Sequence, residues 1–153
     1  MNEITIAELL PHQAPMLLLD RLLDYQGARV RCETRIGERH GLLLDERGNL
    51  PAWVGLELMA QTIAAWAGYQ GWLRAEPPRM GMLLGSRLYK CAEPCFMAGR
   101  ELEVSVEQLV SDGGLSSFQC LIQGERGLLA EARVSTLQPD EARLQQLLGE
   151  MKA

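Results

Sequence analysis

Residues 51–68 read PAWVGLELMAQTIAAWAG and contain one charged side chain, that of Glu57. Outward from Glu57, the nearest other charges along the chain are Arg47 and Arg74. A helix that is apolar around most of its circumference has to be enclosed by other elements. We therefore expect this segment to lie at the centre of the fold.

The ends of this helix follow from its prolines. Pro51 suits a first helical turn, because its missing N–H leaves no hydrogen bond unmade there. The pair Pro77-Pro78 stops the pattern, which predicts a helix from Pro51 to about Leu73. A central carboxylate is costly in a bilayer, so a buried helix of a globular domain is favoured over a membrane span.

The rest of the chain alternates in a way that predicts antiparallel strands. Between Ala28 and Ile36, apolar or small residues alternate with charged ones, as expected for a half-buried strand. We also predict a short helix at Ile4–Leu10, a strand at Met16–Leu19, strand runs at Met80–Leu84 and Arg87–Cys91, hairpin-linked strands around 102–106, 118–122 and 130–134, and an amphipathic helix at 139–151.

This order of elements predicts an α+β fold in which a curved antiparallel sheet wraps around one long helix. A chain of 153 residues, 47% apolar and 23% charged, fits one domain, which we expect to span residues 1–153 with its core at 10–137. Pairing of two copies would cover the sheet edge, so a dimer is a further hypothesis.

Charge and cysteine content narrow the classes of function. The net charge of -5 and the pI of about 5.1 argue against a nucleic-acid binder and favour small-molecule or protein partners. The four cysteines and two histidines show no zinc-binding spacing, so we expect reduced thiols and no metal site. The start of the chain lacks the pattern of a signal peptide, and we expect a cytoplasmic protein.

Glu57 leads a stripe of the helix that continues through Gln61, Ala64, Ala65 and Gly68. Small residues on a stripe permit either close packing of another backbone or binding of a slender ligand, and the pattern leaves both open. A carboxylate desolvated on this helix suits general acid or base catalysis near neutral pH. The alternative is a structural carboxylate that accepts hydrogen bonds or pairs with an arginine.

The sequence also offers hydrogen-bond donors at the helix start and candidate histidine bases. The unpaired N–H groups at the helix start, near Ala52 to Val54, suit a carbonyl oxygen that gains negative charge during reaction. For a partner base, His40 lies in the loop before the helix, whereas His12 lies between two prolines and is interpreted as part of a structural turn.

Three stretches resemble the hot-dog-fold 3-hydroxyacyl-acyl carrier protein dehydratases. They are LPHQAPMLLLDRL at 10–22, ELMAQ at 57–61 and, more weakly, GMLLGSRLYKCAEPCFMAG at 81–99. Residues 51–69 with the downstream G-x-L-L-G are similar to the dehydratase-like subgroup of bacterial aryl polyene and related fatty-acid-type clusters. The resemblance implies a homodimer whose active sites combine a loop histidine with a helix carboxylate of the other subunit.

By this resemblance, Glu57 takes the position of the helix carboxylate. The family's G-H-F-P-x-x-P-x-x-P-G segment is replaced by ERHGLLLDERGNLPAW, and Leu43 stands where the family histidine would fall. His40 takes the role of the base if the loop is about three residues longer. The resemblance then implies dehydration of a 3-hydroxyacyl thioester to its trans-2-enoyl product.

The remaining site predictions follow from this activity. The substrate would arrive on the phosphopantetheine arm of acyl carrier protein, with no other cofactor. We predict substrate contacts at Ala52, Trp53, Val54 and Gln61, and carrier docking at Arg79, Arg87, Lys90 and Arg100. Two alternatives stay open: a hot-dog acyl thioesterase, and a non-catalytic acyl-binding subunit that works beside a complete partner.

Overall fold

A computed structural model of the chain describes residues 4–13, 15–76, 82–137 and 149–150. The predicted helix at 139–151 lies outside the described residues except for positions 149 and 150, which are helical. In chain order the elements are α1 (Ile6–Leu9), β1 (Arg21–Gln26), β2 (Arg29–Arg35), β3 (Leu50–Pro51), α2 (Gly55–Leu73), β4 (Met82–Cys91), β5 (Cys95–Phe96), β6 (Glu101–Asp112), β7 (Leu115–Gly124) and β8 (Gly127–Leu137).

The main sheet has six antiparallel strands in the order β1-β2-β6-β7-β8-β4, and β3 pairs with β5 in a second, two-stranded sheet. The predicted hairpins are confirmed, since β6, β7 and β8 are joined by tight turns. Helix α2 packs against strands from β2 across to β4. The predicted α+β architecture, with a sheet around one helix, is therefore confirmed.

Burial along these elements follows the sequence pattern. On β2, Val30, Cys32 and Thr34 face the core and are fully buried. On α2, Leu58 and Met59 are fully buried as well. Removing such side chains from water is worth about 1.5–3 kcal/mol for each large apolar residue, and this burial holds the helix within the sheet.

The predicted strand at Met16–Leu19 is wrong. This segment belongs to neither sheet, and the first strand begins at Arg21. The reason is that side chains of other elements take its backbone hydrogen bonds: Gln61 bonds both Met16 O and Leu18 N–H. An apolar run alone does not distinguish this arrangement from a strand.

All four cysteines are free thiols, in agreement with the sequence-based prediction. Burial raises the pKa of the Cys32 thiol to about 12 and that of Cys120 to about 12. Both thiols therefore stay protonated and behave as small apolar core residues. None of the helices in the described ranges combines the length and apolarity needed to cross a bilayer.

The small-residue stripe of α2 serves close packing where Gly68 meets α1. A Cβ atom at Gly68 would overlap the carbonyl oxygen and carbon of Leu9. The contact is with backbone, which cannot rotate away as a side chain can. At this position, the stripe accommodates a neighbouring backbone rather than a ligand.

We expect Gly68→Ala to destabilise the protein although alanine favours helices by about 1 kcal/mol over glycine. Overpacking against Leu9 should outweigh that gain and lower the free energy of unfolding by about 1–3 kcal/mol. Chemical denaturation measures the change. Gly37→Ala is the control, since a Cβ at Gly37 meets nothing within 4 Å and its φ of -178° suits any residue. Equal stability of the two variants would contradict the packing argument.

Candidate active site

Glu57 lies in the first turn of α2, where the helix dipole favours a negative charge. Its side chain is 38% exposed within the single chain. Glu57 is therefore accessible, whereas the sequence predicted a carboxylate enclosed by apolar neighbours. The sheet encloses the middle of α2, and the Glu57 side of the first turn stays partly exposed.

Two polar side chains contact the same oxygen of Glu57. His12 Nε2 lies 3.6 Å from Glu57 Oε1, and Gln61 Nε2 donates a hydrogen bond to Glu57 Oε1 at 3.1 Å. The side chain of His12 is 30% exposed, so the imidazole and the carboxylate lie side by side at the surface. An adjacent histidine and carboxylate form a pair that can exchange a proton.

His12 was interpreted as a turn residue, and its proximity to Glu57 was missed. The turn does exist, because Met16 N–H and Leu17 N–H both donate to Gln13 O. The missed signal was that His12 belongs to LPHQAPMLLLDRL, one of the stretches that carry the family resemblance. Sequence spacing did not reveal the contact, since 45 positions separate His12 from Glu57 along the chain.

His40 occupies a different place from the one predicted. It is 1% exposed, and Gly37 N–H donates to its Nδ1 at 3.2 Å. The hydrogen therefore lies on Nε2, which is 2.9 Å from Leu18 O and 3.1 Å from Thr34 Oγ1. With both ring nitrogens bonded inside the core, His40 has a structural position in the single chain, and its role as the base stays a prediction.

The backbone of Leu18 connects these two regions. Its N–H donates to Gln61 Oε1 at 2.9 Å, and its carbonyl accepts from Thr34 Oγ1 at 2.7 Å and faces His40. Buried polar groups that are all paired form rigid networks. His40 and Thr34 thus hold one side of Leu18, and Gln61 holds the other and reaches Glu57.

The start of α2 offers fewer free donors than expected. A 3-10 turn at Ala52–Val54 precedes the helix, and Ala52 N–H already donates to Pro94 O at 3.0 Å. The hydroxyl of Tyr89 donates to Ala52 O. Burial chiefly raises the pKa of Tyr89, with the neighbouring Cys91 acting in the same direction, so this hydroxyl stays protonated.

The other predicted substrate contacts differ in accessibility. The Trp53 side chain is 64% exposed beside the helix start, whereas that of Val54 is fully buried. Gln61 is also fully buried beneath Glu57, with all of its hydrogen bonds made to this chain. Of these three side chains, that of Trp53 is open to a ligand in the single chain.

Of the four predicted docking cations, Arg79 lies outside the described residues. Arg87 and Lys90 are exposed on β4, and Arg100 directly precedes β6. Arg100 lines a cleft of about 260 Å³ together with Arg35 and Arg126. Lys90 lines a neighbouring cleft of about 210 Å³, and Leu129 contributes to both.

Comparisons with known proteins show the family of this chain. A family model described as ApeP-like, ApeP dehydratase, matches residues 4–149. One subunit of the dehydratase heterocomplex ApeI:P from Xenorhabdus doucetiae is 32% identical, with a TM-score of 0.88, and the alignment covers 96% of this chain and 99% of that one. No match was found among proteins of curated function.

More distant structures share the fold alone. A mutant of the phenylacetic acid degradation protein PaaI from Thermus thermophilus is 14% identical, with a TM-score of 0.59 over 77% of this chain and 91% of that one. A hypothetical thioesterase from Streptococcus pneumoniae, solved with coenzyme A, is 14% identical, with a TM-score of 0.61 over 78% and 90%. The predicted hot-dog fold is confirmed.

The two histidines should differ sharply in their effect on stability. His40→Ala removes a buried ring and leaves Gly37 N–H without its partner, so we expect the free energy of unfolding to fall by about 1–3 kcal/mol. His12→Ala, at a partly exposed position, should change it by less than about 0.5 kcal/mol. Thermal and urea unfolding compare the two variants. A His40→Ala protein as stable as wild type would contradict the structural assignment.

Proposed function

Because this chain belongs to the ApeP-like dehydratase family, we propose that it dehydrates 3-hydroxyacyl thioesters carried on acyl carrier protein, in polyene biosynthesis. The observation that carries this proposal is the pairing of His12 with Glu57 at 3.6 Å on the open first turn of α2. Removal of water from such a substrate needs a base at C2 and an acid at the C3 hydroxyl. The pair supplies one group for each task.

In this reaction, His12 accepts one proton and Glu57 releases one. His12 Nε2 removes the C2 proton, the C2 electron pair forms the C2=C3 double bond, and Glu57 protonates the departing C3 hydroxyl, which leaves as water. His12 is then protonated and Glu57 ionised. Both side chains are partly exposed, so exchange with solvent takes the proton from the imidazolium and returns one to the Glu57 carboxylate, which restores the starting state.

The thioester carbonyl gains negative charge while the C2 proton leaves, so donors near it lower the barrier. With Ala52 N–H bonded to Pro94 O and Val54 fully buried, this task falls to the N–H group of Trp53 at the helix start. The exposed indole of Trp53 would then line the path of the acyl chain. Gln61 has no substrate contact in this proposal, because it is fully buried.

A second subunit is part of the proposal. The similar ApeI:P structure is a heterocomplex. In this chain β4 lies at the edge of the sheet and carries two exposed leucines, Leu84 at 54% and Leu88 at 73%. An exposed edge of this length favours pairing with another strand. We therefore expect a related subunit, or a second copy of this chain, to pair along β4.

The carrier itself would dock on the cations near this edge. An acyl carrier protein is acidic, and this chain has a net charge of -5, so docking needs a local basic surface. Lys90 and Arg100 line two adjoining clefts that also carry Glu101, Glu125 and Glu131, and Arg87 lies on β4 with Lys90. These three cations are the described candidates for docking.

Replacing Glu57 by Gln should abolish dehydration, because the amide cannot protonate the leaving hydroxyl. We expect kcat to fall by about 100-fold or more, with unfolding unchanged. The assay follows enoyl product formed from 3-hydroxyacyl-carrier protein by mass spectrometry, with the partner subunit present. Glu46→Gln, in an exposed turn, is the matched control.

The same assay decides between the alternatives. His12→Ala should be impaired as Glu57→Gln is, and full activity of His12→Ala would assign the base to another residue. An active Glu57→Gln protein would overturn the mechanism. Release of a free thiol without enoyl product would instead indicate a thioesterase.

The edge of β4 predicts where the second subunit binds. Leu88→Glu places a charge on the strand edge and should weaken the complex by about tenfold or more. Leu42→Glu is the matched control, because Leu42 is 76% exposed in the loop before α2 and distant from β4 in sequence. Light scattering of the co-expressed proteins measures the assembly. An intact complex in the Leu88→Glu protein would place the interface elsewhere.

A further inference from the structure

The amide of Gln61 has a single possible orientation. Leu18 N–H is a donor only, so the atom that it contacts at 2.9 Å is Oε1 of Gln61. Met16 O is an acceptor only, so the atom 2.7 Å from it is Nε2. Both contacts give the same positions for the oxygen and nitrogen of the side-chain amide, which are often hard to distinguish in glutamine.

This orientation aims the second hydrogen of Gln61 Nε2 at Glu57. The bond to Glu57 Oε1 is 3.1 Å long, and His12 Nε2 approaches the same oxygen. Within the part of the chain that the structure describes, Oε2 of Glu57 has no hydrogen-bond partner. The Gln61 donor at Oε1 favours negative charge there, so a proton bound to Glu57 is placed on Oε2.

We propose that Gln61 is the positioning residue that makes Oε2 of Glu57 the oxygen that exchanges the proton with the substrate. Gln61 holds Oε1 toward the interior, and Oε2 therefore faces the substrate. This inference rests on the proposed function of Glu57. It gives Gln61 a task that acts through Glu57 and needs no contact with the substrate.

The same amide also sets the position of His12. By bonding Met16 O and Leu18 N–H, Gln61 holds the extended segment that follows His12 against the first two turns of α2. The positions of His12 and Glu57 therefore both depend on the buried side chain of Gln61. A displacement of about 1 Å between reacting groups can cost about 100-fold in rate.

A purely structural role for Gln61 makes a different prediction from a positioning role. If Gln61 only satisfied the Met16 and Leu18 backbone, its loss would lower stability and leave the ionisation of Glu57 unchanged. If it also donates to Glu57, its loss disfavours the carboxylate, and Glu57 takes up a proton at higher pH. The pH dependence of the rate separates the two.

The test compares Gln61→Met with Thr34→Val. Gln61→Met keeps the length of the side chain, adds no charge and removes the N–H donor to Glu57. Glu57 acts in its protonated form, so we expect kcat to fall by about 10- to 100-fold with KM within about twofold, and the alkaline limb of the pH–rate profile to move to higher pH. Thr34→Val removes the 2.7 Å bond to Leu18 O and does not touch Glu57. It should lower stability but leave the alkaline limb in place.

A measurement on the unmodified protein covers the case in which Gln61→Met does not fold. The side-chain amide signals of ¹⁵N-labelled Gln61 should shift as Glu57 titrates, and this shift should be absent in Glu57→Gln. Amide signals that do not respond, or an unmoved alkaline limb in Gln61→Met, would overturn the inference. An active Glu57→Gln protein would instead overturn the proposed function, so the two failures are distinguishable.

Discussion

Enclosure of α2 is the constraint on which the rest of the structure depends. A 19-residue helix that carries one charged side chain cannot leave most of its surface in water. The antiparallel sheet satisfies this requirement by curving around it, with alternate strand residues directed at the helix. Where the enclosure ends, at the first turn, the chain places Glu57. The same packing that stabilises the fold therefore determines where an accessible carboxylate can lie.

Hydrogen bonds and apolar packing together position the segment that crosses the first turns of α2. Side chains from β2, from the 3-10 turn at Glu38–His40 and from α2 meet at the backbone of Leu18. The segment takes no part in a sheet, so these bonds and its buried leucines fix its course over the helix. His12 reaches Glu57 because this course is fixed. A rigid support of this kind is what an acid–base pair needs to hold its geometry.

Much of the architecture was predictable because it follows from short-range periodicity. The alternation along β2, the glycine-containing turns of the hairpins and the end of α2 at Leu73 all express local rules, and each agrees with the structure. The predicted helix start at Pro51 is wrong, because Pro51 pairs with Cys95 in β3 and a 3-10 turn at Ala52–Val54 comes before the helix. The strand predicted at Met16–Leu19 failed because its hydrogen-bond partners are side chains distant in sequence. The helix predicted at 139–151 falls outside the described residues and stays a prediction.

By itself, the sequence determined that a helix centred on ELMAQ would be buried by an antiparallel sheet and that Glu57 would be its one carboxylate. Apolar periodicity and the absence of other charges are properties of the chain alone. Only the tertiary structure decided which histidine accompanies that carboxylate. His40 is nearer in sequence but is drawn into the core by hydrogen bonds to Leu18 and Gly37, whereas His12 is carried to Glu57 by a segment anchored at Gln61. Such long-range bonds exist only once the chain has folded, and no local pattern encodes them.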